Sequence, residues 1–300
     1  MEQNPEKRWA PRPDLPQWLR ALCERVAARL IRVQGIEAIA LGGSWVRGIA
    51  RPDSDVDIAL YYEPDAAFSP EELDTAASEL DDRHAQRLVT SFGDWGEGVN
   101  GGGWLVIDGR QVDFLYRNLA RVREVIGLCG DGKPGAVYQL GHPLGFQTQI
   151  YVGEIFFCRP LHDPGDELAR LKRLCAQYPA AMRRALIEKH LFDARFEISI
   201  AAGPAGRGDT MYAAGCLFCA AGLMTLVLYA LNRRYYVNEK GAFAESRGFA
   251  IKPTGFHDAV EAVLARLGGA PDELAASAAA MGSAFASLEE LCGRELAASG

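Results

Sequence analysis

Two aspartates set one residue apart in an apolar run, Asp55-Val56-Asp57-Ile58-Ala59-Leu60, constrain this chain more than any other feature. Strand alternation puts Asp55 and Asp57 on one face. Carboxylates that close repel each other and are expensive to bury without a partner, so a divalent cation is the natural counter-charge. Just upstream, Gly42-Gly43-Ser44 follows a short apolar strand, Ile36 to Leu41, and precedes a helical turn. Free backbone amides, a helix-end dipole and a hydroxyl there suit a polyphosphate tail. Mg²⁺ favours carboxylates combined with phosphate oxygens, so one or two ions fit between the two halves of the motif. Asp113, between Val112 and Phe114 in a later apolar segment, is placed to add a third acid.

The surrounding pattern sets the expected fold. Trp18, Leu19, Leu22, Val26 and Leu30 fall at helical spacing and predict a helix over 15–34, and Val56 to Tyr62 reads as a strand. Ser69-Pro70-Glu71-Glu72 is a capping box that predicts a helix from about 70 to about 90. Asp108-Gly109, between Trp104–Ile107 and Gln111–Tyr116, predicts a tight hairpin. Leu119 to Leu128 reads as a helix, 130–145 as a loop and Tyr151 to Cys158 as a last strand. Beyond Pro164 the periodicity is helical, with breaks at Gly203-Pro204, over 235–255 and over 268–271. The expected class is α+β: a mixed sheet with flanking helices over 1–165, then an all-α helical bundle over 166–300, with a cleft between them.

A net charge of −7 excludes a chain whose main task is gripping a nucleic-acid backbone. A cationic small molecule, a metal-bound nucleotide or a protein partner fits better. Seven cysteines without a framework point to reduced thiols and a cytoplasmic protein. The opening residues, MEQNPEKRWAPRPD, are polar and proline-rich, so no secretory signal is expected. Met211 to Leu231 carries no charge and Arg233-Arg234 follows it, as in a membrane span. Its Ala and Gly content and the lack of a second span predict the buried central helix of a bundle instead, with no membrane partner.

Gly43-Ser44, Arg47-Gly48, Ser54-Asp55-Val56-Asp57 and the later Asp113 together resemble the DNA polymerase beta-like nucleotidyltransferase superfamily. The helical half, with LNRRYYVNEKG at 231–241, resembles the bundles of aminoglycoside-type and minimal nucleotidyltransferases. The resemblance implies transfer of a nucleoside monophosphate, AMP from ATP, to a hydroxyl acceptor with release of pyrophosphate. Asp55, Asp57 and Asp113 would be catalytic and would hold two Mg²⁺ ions. Gly43 and Ser44 would grip the β- and γ-phosphates, and Arg47 and Lys240 are candidates to reach the same phosphates. Glu154 is a candidate general base by location alone. The implied acceptor is an aminoglycoside-like small molecule held by the helical half, or a protein hydroxyl as in antitoxin-like AMP transferases. A nucleotide sensor without turnover is a third reading, against which the complete set of three aspartates speaks.

Other motifs carry less. Cys216 and Cys219 form a CxxC with no second pair, so zinc is not implied. Arg184 and His190 formally match the RNase motif of helical toxins, yet six positions on a helix put them on different faces. His84, His142, His162 and His257 lack ligand spacing. Gly132-Lys133 runs into Pro134, so there is no Walker loop.

Overall fold

A computed structural model describes residues 14–298, and most of the proline-rich opening segment lies outside them. The chain divides into two compact units. One comprises residues up to 128 with 135–141 and 145–177; the other comprises 129–134, 142–144 and 178 onward.

The first unit is built on strands β1 (Ala38–Leu41), β2 (Val56–Tyr62), β3 (Gly102–Ile107), β4 (Arg110–Asn118) and β7 (Arg159–His162), with β5 (Ala136–Val137) and β6 (Phe146–Gln147) forming a separate small ladder. The five-stranded sheet runs in the order β3-β4-β2-β1-β7. Strand β2 is parallel to β4 and the remaining neighbours are antiparallel, so the sheet is mixed. Its helices are α1 (Gln17–Leu30), α2 (Gly43–Arg47), α3 (Pro70–Leu80), α4 (Leu119–Gly130), α5 (Gln149–Phe157) and α6 (Glu167–Leu174). Helix α1 forms because Leu19, Leu22, Val26 and Leu30 repeat at helical spacing, and all four are fully buried or nearly so. Each such burial contributes about 2 kcal/mol. Helix α1 packs on α3 and β7, and α3 packs on β3.

One face of the sheet is dry: Val56, Ile58, Leu60, Val112, Phe114 and Tyr116 are all fully buried. The opposite face changes along its length. Tyr61 and Arg117 at one end are buried, whereas Asp57 and Asp113 at the other are partly exposed. That gradient positions the site.

Two elements differ from expectation in this unit. Ser69 caps α3 as the capping box requires, accepting from the Glu71 and Glu72 backbone N–H groups. The helix nevertheless stops at Leu80 instead of reaching about residue 90. Asp81 leaves the axis because its buried carboxylate accepts from the Val106 N–H at 2.8 Å and from Arg83 Nε and Nη2 at 2.9 and 2.7 Å. Tyr151 to Cys158, read as a strand, lies almost wholly in α5, and the fifth strand is the following Arg159–His162. Nearly every residue of α5 is buried, so the segment shows no helical stripe and a short apolar run fits either period.

The second unit is helical: α7 (Ala180–Gly206), α8 (Thr210–Leu231), α9 (Ala242–Ser246), α10 (Phe256–Ala265) and α11 (Pro271–Ala297). Helices α7, α8 and α11 pack on one another, and α10 packs on α11. Ala194 and Ala201 on α7 and Ala213 and Ala220 on α8 are fully buried, small enough to let the axes approach closely. Helix α7 continues through Gly203-Pro204, where a break was expected. The proline sits in the last turn, where its missing N–H costs one bond and the chain turns immediately afterwards through Arg207 and Asp209 to the Pro204 carbonyl. Helix α8 is long and apolar enough to cross a membrane by length and composition, and 67% of its most apolar window is buried within the fold.

The Asp81 network yields a stability prediction. The Arg83 guanidinium and the Val106 and Arg83 amides hold the Asp81 carboxyl at about 2, below its usual 3.8. A depressed carboxyl stabilises the fold fully above its unfolded value and loses that contribution as pH falls toward the folded one. Asp81→Ala should therefore cost about 2 kcal/mol at pH 7 by leaving the Val106 N–H unsatisfied. In urea melts, the gap between wild type and variant should shrink as pH falls from about 4 to about 2.

Candidate active site

The site grows from the turn between β1 and β2. Backbone N–H of Gly42 donates to the Asp57 carbonyl at 2.8 Å, tying the end of β1 to the start of β2. Gly43 follows in a left-handed conformation, φ +66°, and a β-carbon there would lie 1.7 Å from Asp57 Oδ2. Glycine is thus required twice at this position, once by the backbone and once by the carboxylate. Ser44 comes next, and its buried hydroxyl oxygen has no hydrogen-bond partner among the described residues. A buried hydroxyl left without a partner costs free energy unless something outside the described residues satisfies it. Helix α2 is one turn long, so its first N–H groups act as local donors more than through a macrodipole. Gly48 stops it in the left-handed region, φ +73°, with its N–H to the Trp45 carbonyl at 3.4 Å.

Strand pairing assembles the acids. Asp57 is in direct register with Asp113 across the parallel β2–β4 pair. Their backbones are therefore about 4.8 Å apart, with both side chains on the partly open face. Asp55 lies one residue before β2 and is exposed, and its carbonyl accepts from Trp45 Nε1 at 3.0 Å. Among the described residues no three His, Cys, Asp or Glu side chains gather into a metal-ligand group. The expected trio is thus a side-by-side pair, Asp57 and Asp113, with Asp55 at the mouth of the strand.

The remaining candidates are placed differently. Arg47 sits in the last turn of α2, nearly buried, with its guanidinium carbon 5.8 Å from the Phe157 ring centroid. Lys240 is exposed in the second unit, where its backbone N–H donates to Asn238 Oδ1 at 2.8 Å. Glu154 lies on helix α5, not on a strand. Its two oxygens accept from Arg117 Nε and Nη2, both at 2.7 Å. Burial pulls the Arg117 guanidinium down, but the neighbouring Glu154 charge outweighs it and raises Arg117 above its ordinary value. A carboxylate locked bidentate in this way serves the fold and is unsuited to taking a proton. Among the discounted motifs, Arg184 is exposed while His190 is buried, with its imidazole pushed down to about 4 by burial.

The sequence reading missed Trp104. It is 59% exposed and pairs directly with Asp113 across β3–β4. The signal was present: a two-residue Asp108-Gly109 turn fixes the ladder so that residue 104 must face residue 113.

A glycine-serine turn thus lies against an in-register carboxylate pair. Residues 19–91 match the nucleotidyltransferase domain family, of the polymerase beta-like superfamily. That segment is a nucleotidyltransferase domain, and the protein is a transferase of nucleotidyl groups. The match holds Gly43, Ser44, Asp55 and Asp57; Asp113 lies beyond it and joins the site through strand register. A nucleotidyltransferase-like protein from Exiguobacterium sibiricum 255-15 is a similar solved structure, with TM-score 0.44 and 9% identity over 90% of this chain and 74% of that one. A likeness that distant adds nothing to the assignment. No curated protein sequence matches the chain.

Two substitutions separate site from scaffold. Gly43→Ala should lower stability by roughly 2 kcal/mol or more and displace Asp57, visible as a lower Tm together with lost turnover. Glu154→Gln should destabilise by about 3 kcal/mol through the stranded Arg117 charge while kcat at a permissive temperature stays within about twofold. A large loss of kcat with unchanged Tm would restore Glu154 as a base.

Proposed function

We propose that this protein is a Mg²⁺-dependent nucleotidyltransferase that moves AMP from ATP to a hydroxyl of a small cationic acceptor of the aminoglycoside kind. The observation that carries the reading is the register of Asp57 with Asp113 beside the Gly43-Ser44 turn. The residues fit the implied cation: Mg²⁺ is held by one or two carboxylates plus substrate phosphates more often than by a full protein cage. Asp57 and Asp113 would hold it, with Asp55 at the strand entrance able to join once nucleotide is present. Bound there, the ion supplies counter-charge for the triphosphate and acidifies the acceptor hydroxyl.

The chain's own groups do the rest. The Gly43 and Ser44 backbone amides and the Ser44 hydroxyl receive the β- and γ-phosphate oxygens. That position sets the α-phosphorus over the Asp57–Asp113 pair. The acceptor oxygen attacks it in line, the bond to the bridging oxygen breaks, and pyrophosphate leaves on the Ser44 side. The hydroxyl proton passes toward Asp113 on β4, farther from the phosphates than Asp57 on β2.

An acidic chain attracts a cationic acceptor and repels a nucleic-acid strand. None of the seven cysteines forms a disulfide, which supports a reducing, cytoplasmic setting.

The test is pyrophosphate release from Mg²⁺ and α-labelled ATP, with and without aminoglycosides. Wild type should release pyrophosphate only with acceptor, and Asp57→Asn should lose roughly 10³-fold while its Tm stays within about 2 °C. Unchanged release in that variant would overturn the mechanism, and label fixed on protein would replace the small acceptor with a protein one. Mg²⁺ with a non-hydrolysable ATP analogue should raise the wild-type Tm and leave that of Asp57→Asn where it was.

A further inference from the structure

The open face of the sheet carries a second built feature immediately beside the acids. Reading across neighbouring strands from β1, it presents Gly42, then Asp57, then Asp113, then Trp104. Phosphate binding belongs to the Gly43-Ser44 end. In-line displacement requires the attacking oxygen to approach from the side opposite the leaving pyrophosphate. That side is β3, and the first side chain there is an exposed indole.

The indole is part of an arranged pair. Trp95 stacks on Trp104 with ring centroids 4.5 Å apart and planes 29° from parallel. Room for Trp95 comes from Gly102 on β3, where a β-carbon would lie 2.6 Å from Trp95 Cζ3. The loop that holds Trp95 is clamped from below. Buried Gln139 donates through Nε2 to the Trp95 carbonyl and accepts through Oε1 from the Gly98 and Val99 N–H groups at 3.2 Å each. Trp104 is thus backed on one face and offers the other to solvent, within about 5 Å of Asp113 by strand geometry.

We infer that the Trp95–Trp104 pair is the acceptor platform: Trp104 is a positioning residue that receives a hydroxyl-bearing organic cation and delivers its hydroxyl to Asp113. The charge around the ring selects the occupant. Asp113 and Asp57 lie on its strand side and exposed Asp94 precedes Trp95 in the loop, while Glu97 is shared with Arg121 at 3.5 Å and Arg83 Nη2 reaches the Trp104 carbonyl at 3.5 Å. An indole face beside Asp113, with Asp57 on the next strand, attracts an ammonium group through both its quadrupole and these neighbours. A neutral sugar gains only the ring contact, and an anionic acceptor is repelled. Nothing here selects for a nucleobase, which would stack equally well without the neighbouring Asp113 and Asp57.

This inference rests on the proposed reaction but has its own readout. Calorimetric titration of the full chain, loaded with Mg²⁺ and a non-hydrolysable ATP analogue, uses kanamycin as the cationic probe and trehalose as the neutral one. Wild type should bind kanamycin and bind trehalose at least tenfold more weakly. Trp104→Ala should weaken kanamycin about tenfold, Trp104→Phe should recover most of that, and affinity for the nucleotide should stay unchanged in both. In turnover the Trp104→Ala loss should appear in acceptor KM, with kcat within about threefold. A loss of nucleotide affinity instead, equal binding of both probes, or kanamycin binding indifferent to Trp104 would overturn it. The first outcome would leave pyrophosphate release and its dependence on Asp57 standing, so failure of the platform is distinguishable from failure of the reaction.

Discussion

The contact between the Asp57 carboxylate and the bare backbone of Gly43 organises the first unit's functional end. No side chain fits at residue 43 while that carboxylate is in place. The turn must therefore close over the start of β2, and in closing it buries the Ser44 hydroxyl with no hydrogen-bond partner among the described residues. Parallel pairing then brings Asp113 alongside. A turn, a strand start and a neighbouring strand become one chemical surface through backbone geometry alone.

The same two strands show how the sheet separates structure from chemistry. At the far ends of β2 and β4 the face is closed by α5, and Arg117 meets Glu154 in a bidentate pair that cancels charge internally. At the near ends the acids face outward, with an aromatic pair beside them. Burying a charged pair is weak as a source of stability but strong as a fixed register mark. Here it locks α5 across β4, at the opposite end from Asp113. The reactive end is left free of that constraint.

Much of this was legible in the residues, and the exceptions have physical causes. Strand β2 falls where the apolar run places it, and the hairpin follows from Asp108-Gly109, both in the left-handed region that such a turn demands. The adjacency of Asp57 and Asp113 is strand pairing at long range, which spacing suggested and only topology could supply. Glu154 was misplaced because α5 is buried nearly all round: without a polar stripe, an apolar run broken only by Glu154 carries no period. Helix α3 was overextended because its end is set by Asp81 reaching for the Val106 amide, a tertiary bond no local pattern announces. Trp104 was overlooked although the turn length already aligned it with Asp113.

The central claim is that Asp57 and Asp113 act as one cation site completed by nucleotide. It is tested most directly by electron paramagnetic resonance of Mn²⁺ titrated into the protein with a non-hydrolysable ATP analogue, across Asp57→Asn, Asp113→Asn and the double variant. One shared site predicts that either substitution removes most of the tight binding and that the double variant loses little more. Losses that simply add, or Mn²⁺ binding untouched by Asp113→Asn, would show that the two carboxylates do not work together.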